Sequence, residues 1–153
     1  MRATLRAICV FAGAAVLVAP DARAQEAVSY AIVGLEIPEP LTDQPGNPGR
    51  GKQIVADAEN VTCLICHVMP IAGQPDMGEI GPPLDGVGGR YTTGELRLRV
   101  VDPKAINPET IMPSYYRTEG LYQVYEPYVG RTIYTAQQVE DVVAYLASLT
   151  DGS

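Results

Sequence analysis

The chain has 153 residues and a formal net charge of −7, from 11 basic and 18 acidic side chains. That length suits one domain, and an apolar fraction of 46% excludes a wholly disordered chain. The acidic balance argues against nucleic-acid binding, which needs Lys and Arg to displace counterions from phosphates.

Residues 1–24 have the pattern of a signal peptide. Arg2 and Arg6 give a positive start, Ile8 to Ala19 an apolar run, and Ala22-Arg23-Ala24 a small-x-small cleavage site. The apolar run is shorter than the roughly 20 residues that span a bilayer, so a membrane anchor is disfavoured and Gln25 is the predicted mature start. Cleavage removes three arginines and one aspartate, making the chain more acidic, and removes Cys9. The exported chain then holds Cys63, Cys66 and one histidine, His67.

Residues 25–48 form a Pro-rich N-terminal extension, with Pro38, Pro40, Pro45 and Pro48, and read as an extended arm. It either wraps the domain, touches a partner or frays. The domain proper is predicted at 49–153. Gly49 to Asn60 reads as a short helix with Ile54, Val55 and Ala58 on one face. Residues 70–90 are rich in Gly and Pro and read as loop. Thr92 to Val101 reads as a second helix, N-capped by Thr93 or Thr92 and stopped at Asp102-Pro103. Residues 103–134 are irregular. Thr135 with Gln138 forms a capping box for a last helix, whose Val139, Val142, Val143, Leu146 and Leu149 share one face, with Asp151-Gly152 as its end. No strand alternation and no internal repeat is present, so the fold class is all-α.

Cys63-x-x-Cys66-His67 is the attachment pattern of a c-type haem. Two thiols at this spacing add to the two vinyl groups of one haem, and the adjacent histidine becomes the proximal iron ligand. A thioredoxin-type dithiol belongs beside a βαβ pattern that this chain lacks. A structural zinc site needs four ligands, more than this motif supplies. A plain disulfide leaves His67 unexplained.

With one histidine in the chain, the sixth ligand is a methionine. Met69 follows His67 too closely to cross the haem, because two extended residues span about 7 Å. Met77 lies in the loop expected to support His67. Met112, after a loop and a helix, has room to reach the opposite face and is preferred; Met77 is the second choice. Thioether ligation raises the reduction potential and suits an electron acceptor.

These residues resemble class I cytochrome c over most of 49–150. The resemblance implies few short helices and long irregular loops around a covalently bound haem. Gly81-Pro82-Pro83-Leu84-Asp85-Gly86-Val87-Gly88-Gly89-Arg90 is similar to the family's loop after the haem motif. By that likeness the Pro82 carbonyl accepts the proton of His67, and Arg90 contacts a haem propionate. Gly51 and Tyr145 resemble the pair at the crossing of the terminal helices.

A narrower resemblance joins Ile111-Met112-Pro113-Ser114-Tyr115-Tyr116-Arg117 with Thr135 to Leu146, which is similar to the SoxX family. That family is the small monohaem cytochrome subunit of SoxAX, a periplasmic heterodimer with SoxA. It implies the electron-transfer subunit of an L-cysteine S-thiosulfotransferase, one covalent haem c with iron ligands His67 and Met112, and the carrier SoxYZ as substrate protein. It further implies a small acceptor cytochrome downstream and a reactive cysteine on SoxA, not on this chain. The alternatives are a free diffusible periplasmic cytochrome c and a haem gas sensor in which the Met112 bond opens. Six tyrosines, Tyr115, Tyr116, Tyr122, Tyr125, Tyr128 and Tyr134, suit either a partner interface or a cover over the haem.

Overall fold

The computed structural model describes residues 27–57, 63–74 and 76–150. The signal-peptide reading lies outside these residues, as do Ala58 and Asp151-Gly152. Among the described residues there are four α-helices and no strand, only an isolated bridge between Val33 and Glu36.

Helix α1 spans Pro48–Ala56. Proline at its first position leaves no donor to satisfy, and Asn47 Oδ1 accepts from the Arg50 amide at 2.9 Å. The helix is shorter than its sequence implies. Asp57 turns to extended dihedrals, and its amide closes the last turn on the Ile54 carbonyl at 3.3 Å.

Helix α2, Val87–Arg90, falls where the sequence reads as loop. Two of its four residues are glycine, so neither propensity nor periodicity could reveal it. It is held by tertiary contact: the Gly88 amide donates to the Leu149 carbonyl at 2.8 Å.

Helix α3 spans Thr93–Val101 and resolves the N-cap choice in favour of Thr92. Thr92 Oγ1 accepts from the Glu95 amide at 3.2 Å while Glu95 Oε2 accepts from the Thr92 amide at 2.7 Å. Asp102, before Pro103, ends it. Helix α4, Ala136–Ser148, carries the second capping box, with Thr135 and Gln138 bonded at 3.2 and 2.9 Å. It stops at Leu149, ahead of Asp151-Gly152.

Helix α4 is the hub on which α1, α2 and α3 all pack. Its Val139, Val142 and Val143 are buried, as are Leu146 and Leu149. At the α1–α4 crossing, a Cβ on Gly51 would run into the Asp141 carbonyl and press on Tyr145 Cβ, so only glycine permits this approach.

The segment 27–47 lies along the domain. Ile37 and Leu41 are buried. The Ile37 amide donates to the Gly94 carbonyl at 3.1 Å, and the Leu41 amide to Glu140 Oε1 at 2.9 Å. Glu140 in turn forms a two-point ion pair with Arg97 of α3, at 2.7 and 2.9 Å, and both side chains are buried. Arg97 Nη1 donates to the Ile37 carbonyl at 2.6 Å. One ion pair thus ties α3, α4 and the arm together.

Candidate functional site

Cys63 opens a single 3₁₀ turn, Cys63–Ile65. Its carbonyl accepts from the amides of both Cys66 and His67, at 3.1 and 2.9 Å, which coils the motif tightly. The following loop bonds back onto it: Gly78 N–H to the Leu64 carbonyl at 2.8 Å, Gly81 N–H to the Cys66 carbonyl at 2.7 Å, and Leu84 N–H to the Val68 carbonyl at 2.9 Å. A Cβ on Gly81 would strike the His67 ring, so the loop presses its backbone against the imidazole.

His67 Nδ1 lies 2.7 Å from the Pro82 carbonyl oxygen. A carbonyl only accepts, so Nδ1 carries the proton and Nε2 keeps its lone pair. The imidazole is oriented by the loop and free to donate at its other nitrogen, the arrangement typical of a metal-ligating histidine. Cys63 and Cys66 are both thiols. Burial pushes the Cys63 thiol up to about 11, with a hydrogen bond to Tyr115 offsetting it in part. A redox dithiol stabilises its thiolate; this environment does the reverse.

Two adjoining cavities open over the histidine. The larger, about 280 Å³, reaches inward to Leu96, Val100, Val142 and Leu146. The smaller, about 200 Å³, reaches Cys66, Ile80 and Ile111. Cys63, His67, Pro82, Thr110, Met112 and Tyr115 line both. The combined slot lies in the usual size range of small-molecule sites, about 300–1,000 Å³, and its walls are largely apolar. A flat apolar macrocycle with an iron centre fits this donor set: an oriented imidazole, a thioether and two thiols on one slot.

The three candidate methionines separate. Met112 lines both cavities. Met69 is buried in the core, and Met77 S accepts from the Met69 amide at 3.2 Å; neither lines the slot. The Met112 segment is stitched to the end of α3. The amides of Tyr115 and Tyr116 donate to the carbonyls of Val100 and Val101, at 3.1 and 3.4 Å. Buried Asp102 accepts from Ser114 Oγ at 3.2 Å and from Arg117 Nη1 at 3.1 Å.

Arg90 lines the larger cavity, and its guanidinium is engaged by backbone: Nη1 donates to the Asp85 carbonyl at 2.6 Å and Nη2 to the Pro83 carbonyl at 3.1 Å. It staples the loop that carries Pro82. The tyrosines divide. Tyr115 and Tyr134 stack at 4.6 Å between centroids and line the larger cavity. Tyr116 is buried against Tyr30. Tyr122 and Tyr125 are 81% and 73% exposed, too open to be covering the slot. Sequence reasoning missed Arg99 and Asn107 on the cavity wall. The helical spacing of Leu96, Arg99, Val100 and Pro103 was the available signal for the first; nothing marks Asn107.

A family model described as cytochrome c matches residues 49–150. Comparison with curated proteins gives no match. Among solved structures, the crystal structure of SoxXA from P. pantotrophus is similar, with a TM-score of 0.68 and 35% sequence identity over 80% of this chain and 95% of that one.

Proposed function

The chain belongs to the cytochrome c family, and on that footing we propose that it is a SoxX-like monohaem subunit of a SoxAX complex. In that role it accepts electrons as thiosulfate is joined to a carrier cysteine, and passes them on. Cys63 and Cys66 would form the two thioether bonds, and His67 and Met112 would be the iron ligands. When bound, the haem supplies a one-electron Fe(III)/Fe(II) couple. Pro82 holds His67 in the tautomer that presents Nε2. The stacked Tyr115 and Tyr134 and the apolar faces of α3 and α4 keep water from the slot, which with a thioether ligand favours the reduced state. The observation that carries this reading is that His67 and Met112 line the same slot as Cys63.

The overall step balances without chemistry on this chain. A carrier thiol and thiosulfate form one sulfur–sulfur bond, releasing one proton and two electrons. Once Cys63 and Cys66 are consumed, the exported chain has no other cysteine. The reactive cysteine therefore belongs on the partner SoxA, with SoxYZ as the carrier and a small cytochrome as the acceptor. Arg90 would also stand near a propionate. The signal-like residues 1–24 favour the periplasm, and no helix of the described residues is long and apolar enough to cross a membrane.

The test is purification of the tagged chain from its native host, with co-purifying proteins stained for covalent haem. A stoichiometric second haem protein is expected. A chain that carries haem yet purifies alone, and takes electrons from generic donors, would be a diffusible carrier instead.

A further inference from the structure

The haem reading leaves one charged side chain on the cavity wall without a task. Leu96, Arg99, Val100 and Pro103 all line the larger cavity. Their spacing marks one helical face, continued into the turn after α3. Three of the four are apolar and Arg99 is not. It is half-buried, and its guanidinium carbon sits 3.7 Å from the centroid of the Tyr91 ring. Nη1 donates to the Glu95 carbonyl at 3.0 Å. No carboxylate pairs with it among the described residues; Glu95 spends Oε2 on the Thr92 amide at 2.7 Å. The aromatic stack and the carbonyl fix the guanidinium's position while leaving most of its five N–H donors free. A cation set into an apolar wall calls for an anion to meet it.

Charge also gives the slot a direction. The smaller cavity holds both cysteines and no arginine or lysine. Arg90 and Arg99 line only the larger one. A haem has the same polarity: vinyl groups that react with thiols lie on one side and two propionate carboxylates on the other. Arg90 is exposed and commits two donors to carbonyls, whereas Arg99 is more withdrawn from water and commits one.

We propose that Arg99 is the principal cation pairing with the propionate carboxylates of the bound haem, with Arg90 serving first to hold the Pro82 loop. This rests on the haem reading above. A guanidinium beside the propionates offsets their negative charge, which otherwise favours the oxidised state, so Arg99 raises the reduction potential.

The experiment uses the full-length protein matured with haem, and compares wild type with Arg99→Gln and Arg99→Lys. Covalent haem content is measured first; a wild type without haem on Cys63 and Cys66 would sink the haem reading itself. The reduced-to-oxidised ratio is then read at the poise where wild type is half reduced. In Arg99→Gln it should fall roughly tenfold, the effect of one partly screened unit charge, and Arg99→Lys should recover most of it. If Arg99→Gln instead loses haem during maturation, recovery of haem in Arg99→Lys supports the pairing by charge. A haem-loaded Arg99→Gln with the wild-type ratio, or equal losses in the two variants, would overturn the proposal.

Discussion

The Arg97–Glu140 pair sets the largest single-residue effect that this fold should show outside its cavity. Both side chains are buried, at 5% and 6% exposure, so water cannot replace a lost partner. Replacing Glu140 with alanine leaves Arg97 Nε and Nη2 and the Leu41 amide unpaired together. Breaking a buried pair from one side costs about 3–5 kcal/mol. The orphaned amide is part of the same loss and is not added to it. Against a domain stability of about 5–15 kcal/mol, that is a fall of roughly 10–20 °C in Tm. The arm should loosen with it, because Ile37 and Leu41 are held by this pair. Chemical denaturation followed by circular dichroism gives the free energy, and limited proteolysis around residues 37–41 gives the arm. The double variant Arg97→Met with Glu140→Leu removes both charges and should recover most of the loss. A cost under about 1 kcal/mol for Glu140→Ala, as for an exposed pair, or a double variant as unstable as the single one, would refute the reasoning.

Three further outcomes are expected. Met112→Ala should lower the reduction potential and open the iron to carbon monoxide; survival of the sulfur-to-iron charge-transfer band would move the ligand assignment to Met77. For Asp141, burial pushes the carboxyl up, but Arg50, the Asn47 amide and Gln137 more than offset it and hold it below its ordinary value. The stability this contributes is present above the unfolded carboxyl pKa, about 3.9, and is lost as pH falls through the lower folded value. Asp141→Asn should therefore flatten the acid side of the stability curve below about pH 4, and an unchanged acid limb in urea titrations would contradict this. Alanine at Tyr122 and Tyr125 should leave the melting temperature unchanged while weakening association with the partner subunit, measured by calorimetry; unchanged association would remove these rings from the interface.

The parts of the fold that sequence made legible are those with local chemistry. The capping boxes Thr92/Glu95 and Thr135/Gln138 place two helix starts, and the valine and leucine face of α4 announces its burial. Ends are less legible. The shortness of α1 depends on Asp57 leaving helical dihedrals, and α2 exists because Leu149 offers a carbonyl to Gly88. The arm's docking was undecidable because an extended Pro-rich segment has no period, and its anchors Arg97 and Glu140 lie 43 residues apart. For the site, Cys63, Cys66 and His67 are contiguous and therefore readable. Arg99 sits among helix residues whose charge reads as an ordinary surface face until α3 is seen to turn it toward the cavity.

The central claim is that electrons from thiosulfate coupling reach this chain through a partner. The most direct measurement mixes the purified complex with thiosulfate and the carrier protein under anaerobic conditions and follows reduction of this chain's haem by stopped-flow absorbance. The account predicts reduction only when thiosulfate, a carrier with its cysteine intact and the partner subunit are all present. Reduction of the isolated chain by thiosulfate alone, or no reduction in the full mixture, would contradict it.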